Sequence, residues 1–251
     1  MKELFSLEGK RALVTGASAG IGRAIAIAYA EAGADVAVVA RRENLLAEAV
    51  GEIEAKGRRG LAIRGDVTVS EDVDRAVSET VEGLGGIDIL VNNAGGSPFH
   101  GPITAWRESG FDKVVALNLK STFLFCKAAG PHLLSGGSGS VINLVSVAGL
   151  RSTPYFYPYG AAKAGIANLT KSLAVEWAPA GVRVNAIAPG WTLTELTAWA
   201  DEQAKAEMAK TIPMGRWARP EEMAYAAVFL ASAAASYITG QVLAVDGGVL
   251  A

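Results

Sequence analysis

Residues 11–22 read RALVTGASAGIG, and this stretch decides the fold of the 251-residue chain. Its first five residues form a short apolar run, which is typical of a buried strand, whereas residues 21–32 are alanine-rich with helical spacing. In the turn between them, Gly16 permits a sharp bend, Gly20 lets a pyrophosphate approach the backbone, and Gly22 lets helix and strand pack closely. Since free amides at a helix start attract anions, the stretch predicts a strand, a phosphate-binding turn and a helix.

The same alternation of short apolar runs and longer helical stretches continues along the chain, as in repeated strand–helix–strand units. The predicted strands are Arg11–Thr15, Val36–Ala40, Leu61–Arg64, Ile87–Val91, Ser140–Val145, Val182–Ala188 and Gln241–Val245. The predicted helices are Ile21–Ala32, Asn44–Lys56, Glu71–Leu84, Ser109–Leu134, Tyr159–Ala178 and Glu221–Ala231. Because no linker or charge block interrupts them, we expect one α/β domain over residues 1–251. We expect its architecture to be a Rossmann-type, doubly wound parallel sheet of about seven strands with helices on both faces.

Composition and charge exclude several classes of function. The net charge is −2, so the chain lacks the overall positive field that holds nucleic acid or an anionic membrane. Its single cysteine, Cys126, excludes an intramolecular disulfide and a cysteine-based metal cluster. The first eight residues lack the apolar run of a signal peptide, and no stretch has the length of a membrane span. We expect a cytoplasmic protein without nucleic-acid, membrane or metal partners.

The segment from Trp191 to Trp217 interrupts the alternation, because it contains an amphipathic piece around residues 204–210 but no predicted strand. It follows the carboxyl end of the sixth strand, and ligands of open parallel sheets bind outside those ends. The sequence therefore predicts a substrate lid over residues 191–217. Nearby side chains either shape a bulky, largely apolar pocket or pack the lid: Ser97, Phe99, Tyr155, Phe156, Trp191, Trp199 and Trp217.

Two arginines, Arg41 and Arg42, directly follow the second predicted strand. In dinucleotide-binding folds an acid at this position binds the ribose 2′-hydroxyl, whereas a cation binds a ribose 2′-phosphate. No carboxylate stands at this strand end, and two guanidinium groups suit a dianionic phosphate. The sequence favours NADP(H) as cofactor. NAD(H) is the alternative if both arginines are solvated or if Glu43 neutralises one of them.

Tyr159 and Lys163 stand four residues apart at the start of a predicted helix, so both side chains project from one face. A free tyrosine has a pKa of about 10, and proton transfer around pH 7 requires the pKa to be about three units lower. A neighbouring ammonium and an oxidised nicotinamide are both positive, and both lower the pKa of a phenol. This spacing therefore indicates a proton-transfer pair.

With these residues the chain resembles the short-chain dehydrogenase/reductase family, over essentially its whole length from Leu7 to Gly248. The motifs that carry the resemblance follow one another in the family's order: Thr15-Gly16 with Gly20-Ile21-Gly22, Asp66-Val67, Asn92-Asn93-Ala94-Gly95, Asn118, Ser146, Tyr159 with Lys163, and Pro189-Gly190. Their joint occurrence makes the resemblance specific.

The resemblance implies four catalytic residues. Tyr159 would be the general acid in carbonyl reduction and the base in alcohol oxidation, and Ser146 would hydrogen-bond the substrate oxygen. Lys163 would bind the nicotinamide ribose and lower the pKa of Tyr159. Asn118 would hold a water that links Lys163 to solvent.

The resemblance also implies a set of residues around the dinucleotide. Together with Arg41 and Arg42 from the argument above, the full set is Gly16, Ser18, Ala19, Ile21, Arg41, Arg42, Asp66, Val67, Asn92, Ala94, Tyr159, Lys163, Pro189, Gly190 and Thr192. Asp66 and Val67 would contact the adenine, although Asp66 has a second interpretation as the cap of a turn. Asn92 and Ala94 would line the cofactor.

Together these expectations describe an NADP(H)-dependent oxidoreductase that reduces a ketone or oxidises a secondary alcohol and, like many of its family, is a homotetramer. Candidate substrates are 3-oxoacyl compounds and other apolar ketones, although residues 132–136 and 175–177 lack the cations with which similar reductases dock a carrier protein. One alternative is an NAD-dependent sugar, polyol or steroid alcohol dehydrogenase. Another is a catalytically silent protein that senses the dinucleotide.

Overall fold

Short runs of β-branched and small apolar residues form the strands of a single sheet. The computed structural model describes residues 2–97 and 99–251. Its strands are β1 (Arg11–Thr15), β2 (Asp35–Ala40), β3 (Gly60–Arg64), β4 (Ile89–Asn92), β5 (Ser140–Leu144), β6 (Arg183–Pro189) and β7 (Val242–Val245). The strand order is β3-β2-β1-β4-β5-β6-β7, and all six pairings are parallel. The predicted Rossmann-type sheet is confirmed.

Helices connect the strands and cover the sheet. They are α1 (Gly20–Glu31), α2 (Glu43–Glu54), α3 (Ser70–Leu84), α4 (Glu108–Val115), α5 (Ser121–Gly136), α6 (Tyr157–Trp177), α7 (Glu202–Ala209) and α8 (Pro220–Ala231). Among the described residues, no helix combines the length and the apolar character needed to cross a bilayer.

Both faces of the sheet are buried, and neighbouring residues of one strand face opposite cores. Ala12 and Val14 of β1 belong to the core that α1, α2 and α8 cover, whereas Leu13 belongs to the core under α3 and α5. This alternation has the period of two that a strand imposes. A strand buried on both faces needs a continuous apolar run, and β2 is buried over its whole length.

The predicted long helix Ser109–Leu134 is instead two helices, because a π-helical turn at Ala116–Lys120 separates α4 from α5. Asn118 lies inside this turn, and its side-chain Nδ2 donates to the carbonyl oxygen of Val114 at 2.8 Å. In a regular α-helix that carbonyl accepts from the backbone N–H of residue 118. Such π-helical turns are frequent at functional sites.

The segment between β6 and α8 forms a small cluster of its own. Trp191 lies against Trp217, with ring centroids 5.2 Å apart, and against Trp199, with centroids 6.3 Å apart. The Trp217 indole donates to the carbonyl of Lys205, the residue at the centre of α7. The predicted amphipathic piece around residues 204–210 corresponds to α7.

The strand order reverses between β1 and β4, so the connections that leave these two neighbouring strands diverge to opposite faces. In open parallel sheets this divergence opens a crevice outside the carboxyl ends of the strands. The glycine turn after β1 and the Asn93–Gly96 loop after β4 both begin at this point.

Candidate active site

A cavity of about 530 Å³ opens at the carboxyl ends of β1, β2, β4, β5 and β6. Most of the residues predicted for the site line it: Gly16, Ser18, Ala19, Ile21, Arg41, Arg42, Asp66, Val67, Ala94, Ser146, Tyr159, Lys163, Pro189, Gly190 and Thr192. The fold thus places the glycine turn and the Tyr159–Lys163 pair on the walls of one cavity.

The glycine turn is joined to the loop after β4 by a compact set of hydrogen bonds. Thr15 Oγ1 accepts from the backbone N–H groups of Asn93 and Ala94, at 3.0 and 3.1 Å. The Asn93 side chain donates to the carbonyls of Thr15 and Gly16. Gly16 has a φ of 65°, and a Cβ added there would lie 2.8 Å from the Ala94 Cα. Only glycine fits this turn without strain.

The start of α1 has the properties of an anion site. Ala19 is the N-cap residue, and no side chain caps the first amides of the helix. A Cβ on Gly22 would lie 2.5 Å from the Gly16 carbonyl oxygen, so glycine is what lets the helix pack onto the turn, as predicted. The uncapped amides and the positive end of the helix dipole favour a phosphate group here.

Lys163 is the buried cation of the cavity. Only 3% of its surface is exposed, and its Nζ donates to the Leu144 carbonyl at 2.6 Å. Burial lowers the pKa of Lys163 to about 7. An ammonium has three protons to donate, and this one carries a single hydrogen bond to the protein among the described residues. It retains donors for oxygen atoms inside the cavity.

Tyr159 lies one helical turn before Lys163 on α6, and the Lys163 Nζ is 5.6 Å from the centroid of its ring. Burial raises the pKa of Tyr159, and the Ser146 side chain opposes this effect more weakly. The expected lowering of the Tyr159 pKa by Lys163 is therefore not a property of the chain alone. The reason is that burial disfavours the phenolate and also removes part of the positive charge from Lys163.

Ser146 follows β5 and caps a short 3₁₀ turn, Val147–Gly149. Its Oγ accepts a hydrogen bond from the backbone N–H of Ala148 at 3.1 Å. Because one lone pair of the hydroxyl is engaged in this cap, its O–H remains available to donate into the cavity. The capping and the substrate-binding interpretations of Ser146 are compatible.

Asn118 does not line the cavity but lies directly behind it. Its Oδ1 accepts from the Gly96 N–H at 3.0 Å, and its Nδ2 donates to the Gly96 carbonyl at 2.8 Å. A Cβ added at Gly95 would touch both Asn118 Oδ1 and Lys163 Nζ. The side chain therefore ties the loop after β4 to the π-helical turn, beside the Lys163 ammonium. The proposed water at Asn118 stays a prediction.

The expectation that Asn92 lines the cofactor differs from the structure. The Asn92 side chain is buried in the core, where its Nδ2 donates to Asn143 Oδ1 at 2.9 Å and contacts the Cys126 sulfur at 3.3 Å. Asn93, the next residue, lines the cavity instead. Since successive side chains of a strand point to opposite faces, a step of one residue at the strand end exchanges the two roles.

The basic end of the cavity is formed by the turns after β2 and β3. Arg41 is largely exposed, and its Nη1 lies 4.0 Å from Asp66 Oδ2. Asp66 also caps its own turn, because its Oδ1 accepts from the backbone N–H and the hydroxyl of Thr68. Arg42 pairs with Glu195 at 2.8 Å rather than with Glu43.

Four residues of the segment after β6 also line the cavity, and sequence reasoning missed them as site residues: Thr194, Glu195, Leu196 and Thr197. The nearby Thr192 was predicted, and its Oγ1 donates to the Gly190 carbonyl at 3.1 Å. Among the aromatic candidates, Phe156, Trp191 and Trp199 line the cavity, whereas Trp217 packs inside the small cluster. No local sequence signal marks Glu195, because its partner Arg42 is distant along the chain.

The chain is similar to known enzymes over nearly its whole length. A family model described as enoyl-(acyl carrier protein) reductase matches residues 16–250. Gluconate 5-dehydrogenase of Gluconobacter oxydans is 39% identical over 249 residues, covering 98% of this chain and 97% of the relative. A 3-oxoacyl-(acyl-carrier-protein) reductase of Staphylococcus aureus is 42% identical over 241 residues, covering 96% of this chain and 98% of the relative.

Solved structures give the same result. A short-chain type dehydrogenase/reductase from Mycobacterium marinum matches with a TM-score of 0.93 and 40% identity, over 98% of both chains. A gluconate 5-dehydrogenase from Burkholderia cenocepacia, in complex with NADP and tartrate, matches with a TM-score of 0.93 and 35% identity, over 99% of this chain and 98% of that chain. This chain therefore belongs to the short-chain dehydrogenase/reductase family of oxidoreductases.

Proposed function

We propose that this enzyme is an NADP(H)-preferring carbonyl reductase, with Tyr159 as its general acid. The observation that carries the proposal is the single cavity that Tyr159, Lys163 and Ser146 share with the glycine turn. A proton donor, a cation and a hydroxyl at one place are what the reduction of a carbonyl group requires.

The residues of the cavity fit a nicotinamide dinucleotide. The uncapped start of α1 suits the pyrophosphate, and the glycines at positions 16 and 20 both line the cavity beside it. The unused donors of the buried Lys163 suit the hydroxyl groups of the nicotinamide ribose. Pro189, Gly190 and Thr192 line the cavity, and we assign the nicotinamide to their side of it. When bound, the nicotinamide supplies or takes up the hydride.

The protein itself binds the substrate oxygen and moves the proton. In the reduction, the Ser146 hydroxyl donates a hydrogen bond to the carbonyl oxygen, and the Tyr159 phenol transfers its proton to the same oxygen as the carbon accepts the hydride. In the oxidation, the Tyr159 phenolate takes the proton of the alcohol. Asn118 positions the loop beside Lys163 and holds the water through which the proton of Tyr159 is exchanged with solvent.

The elevated pKa of Tyr159 in the chain alone suits the reductive direction, because a protonated phenol is the form that acts as acid. The ammonium of Lys163 and the positive nicotinamide ring of the oxidised cofactor both stabilise the phenolate. The basic form of Tyr159 is therefore favoured once the oxidised cofactor is bound beside a charged Lys163.

The NADP(H) preference rests on Arg41 and Arg42. Both arginines line the basic end of the cavity, and the carboxylate closest to Arg41 is 4.0 Å away. A 2′-phosphate there would meet two guanidinium groups with bidentate geometry. The Burkholderia cenocepacia relative was crystallised with NADP. NAD(H) is the alternative cofactor, and activity with NADPH and with NADH distinguishes the two.

The substrate is a small carbonyl compound, and its proposed class is an apolar or 3-oxoacyl ketone. Phe156, Trp191 and Trp199 give the substrate end of the cavity aromatic walls. Arg151 also lines the cavity and provides a cation for a substrate that carries an acid group. The names of the two curated relatives contain gluconate and a 3-oxoacyl group on acyl carrier protein, so both chemical types belong in the substrate panel.

Residues 191–217 are the proposed substrate lid. In support, the segment has its own apolar cluster around Trp217, and it lies over the cavity through Thr194 and Leu196. A lid of this kind excludes water from the reacting atoms and moves to admit substrate.

We also propose a homotetramer in the cytoplasm. In support of assembly, Phe111 of α4 and Phe123 of α5 are about half exposed, and Leu243 of the edge strand β7 is 38% exposed. The single Cys126 is buried, as expected for a chain that does not rely on disulfides. Light scattering coupled to gel filtration should give four times the chain mass, and a monomer would contradict the assembly.

The test of the proposed cofactor and substrate class is the absorbance of the reduced cofactor at 340 nm, with NADPH and NADH across 3-oxoacyl thioesters, apolar ketones, oxo acids, sugars and steroids. We expect NADPH consumption with at least one ketone. Arg41→Ala with Arg42→Ala should weaken NADPH far more than NADH, because only NADPH carries the phosphate. An equal loss for both cofactors would refute the 2′-phosphate site, and binding without turnover would favour the sensor.

A further inference from the structure

One ion pair crosses the mouth of the cofactor cleft. Arg42, in the turn after β2, places its Nη1 2.8 Å from the Oε2 of Glu195, in the lid segment after β6. The other terminal nitrogen of Arg42 donates to the Ser18 hydroxyl in the glycine turn at 3.2 Å. The guanidinium is therefore held between the lid and the turn that faces the phosphates.

The residues on either side of Glu195 pack onto the two glycine-containing walls of the cleft. A Cβ added at Gly20 would lie 3.2 Å from the Thr194 side chain, and one added at Gly96 would lie 3.3 Å from the Leu196 side chain. Thr194, Glu195 and Leu196 thus form a strap across the cleft, and the Arg42–Glu195 ion pair is its charged contact.

We propose that Glu195 is a specificity-determining residue, which competes with the 2′-phosphate of NADPH for Arg42 and so reduces the preference for NADPH over NADH. This inference rests on the proposed role of Arg42 in binding the 2′-phosphate. Glu195 does not take part in the chemistry, because its carboxylate lies at the basic end of the cavity and is paired with Arg42.

The competition follows from charge and geometry. Arg42 has two terminal nitrogens, and both already have partners, Glu195 and Ser18. A phosphate that takes the edge formed by the two terminal nitrogens competes with Glu195 for Nη1, and the carboxylate then stands beside a dianion. NADH has a 2′-hydroxyl at this place, so it leaves the Arg42–Glu195 pair intact. NADPH binding therefore breaks the Arg42–Glu195 ion pair of the strap, whereas NADH binding keeps it.

The expected change in NADPH affinity is small, because the Arg42–Glu195 ion pair is exposed to solvent. Both side chains are about half exposed, with 48% of Arg42 and 64% of Glu195 accessible. Exposed ion pairs change an equilibrium constant by at most about fivefold. Removing the carboxylate also removes its repulsion of the phosphate, which salt screens. We expect the Kd of NADPH to fall by about two- to fivefold in Glu195→Gln at low ionic strength.

The experiment titrates the full-length enzyme with NADPH and with NADH, following the fluorescence of the reduced nicotinamide, for wild type and Glu195→Gln. The matched control is Glu202→Gln, an exposed lid glutamate that pairs with Lys205 and does not line the cavity. We expect tighter NADPH, unchanged NADH and no change in the control. Unchanged NADPH affinity, or an equal change for both cofactors, would overturn the proposal, because loss of a merely structural contact moves both cofactors together.

Arg42→Ala separates this inference from the proposed cofactor site. If Arg42 binds the 2′-phosphate, Arg42→Ala weakens NADPH. Glu195→Gln then tightens NADPH less in the Arg42→Ala background than in the wild-type background, because only the repulsion between Glu195 and the phosphate is left to remove. A loss of NADPH affinity in Arg42→Ala without any effect of Glu195→Gln in the wild-type background would refute only the competition. If Arg42→Ala leaves NADPH binding unchanged, the role of Arg42 in the 2′-phosphate site and the competition are both wrong.

Discussion

The buried charge of Lys163 should destabilise the folded protein. Its ammonium is buried, with one hydrogen bond to the Leu144 carbonyl, and burial lowers its pKa from 10.5 to about 7. Lys163→Met keeps the length and the apolar stem of the side chain but removes the charge. We expect this variant to lose turnover and to be more stable than the wild type at pH 7.

The magnitude follows from the pKa shift of Lys163. At pH 7 the unfolded chain holds the proton fully and the folded chain about half, which corresponds to about 4 kcal/mol of destabilisation. The Leu144 carbonyl left without its donor costs about 1–2 kcal/mol, so the net gain is about 2–3 kcal/mol. For a chain of this size that gain raises Tm by about 5–10 °C.

The stability difference between the wild type and Lys163→Met should depend on pH. Because the folded pKa of Lys163 lies below the unfolded pKa, the unfolded state binds more protons between pH 7 and pH 10.5, and wild-type stability gains from this group as pH rises through that window. The advantage of Lys163→Met should therefore shrink by about 3 kcal/mol between pH 7 and pH 9.5.

Urea unfolding without cofactor, at pH 7 and pH 9.5, measures the free energy of unfolding of both proteins. Lys171→Met is the matched control, because Lys171 is on the same helix and exposed to solvent. It should change stability little at either pH. A Lys163→Met protein that is less stable than the wild type at pH 7, or whose difference from it does not depend on pH, would refute the argument.

Three further predictions concern stability and reactivity. Glu222, whose pKa is lowered to about 2 by hydrogen bonds from Arg216 and a backbone amide, should stabilise the fold by about 1 kcal/mol above pH 4.5, since its partner Arg216 is about half exposed. In acid titrations of unfolding, Glu222→Gln should lose this stability at pH 7 and match the wild type near pH 2; a pH-independent difference would contradict the ion pair. Gly22→Ala should cost about 2 kcal/mol or more by urea unfolding, whereas Gly51→Ala, with no atom within 4 Å of the new Cβ, should gain about 1 kcal/mol. Equal effects would show that the glycine turn is not tightly packed. Burial raises the pKa of Cys126 to about 12, so thiol reagents should label it only after unfolding; fast labelling of the folded enzyme would contradict its burial.

The fold could be predicted from local patterns because each strand is buried on both faces and reads as an apolar run. The predicted helix Ser109–Leu134 was wrong where a π-helical turn interrupts it. Within this turn the Asn118 side chain donates a hydrogen bond to the Val114 carbonyl. No periodicity in the sequence predicts this contact or the turn. At the end of β4, the register decides that Asn92 faces the core and Asn93 the cavity, and a one-residue difference is below the precision of a pattern.

The residues of the candidate site that belong to ordered sequence motifs could be predicted from the sequence. Tyr159, Lys163 and Ser146 do line one cavity. The contact between Arg42 and Glu195 could not be predicted, because it depends on how the lid segment folds back over the first turn. The pKa values of Tyr159 and Lys163 depend on burial, which is a property of the packed structure rather than of the four-residue spacing.

The most direct test of the central claim compares wild type and Tyr159→Phe with a ketone substrate from the panel, measuring both turnover at 340 nm and cofactor affinity by fluorescence. Phenylalanine keeps the ring and removes the proton that the phenol transfers. The account predicts that turnover falls by about 10²–10⁴-fold while the Kd of the reduced cofactor stays within about twofold. Retained turnover in Tyr159→Phe would contradict the assignment of Tyr159 as the general acid.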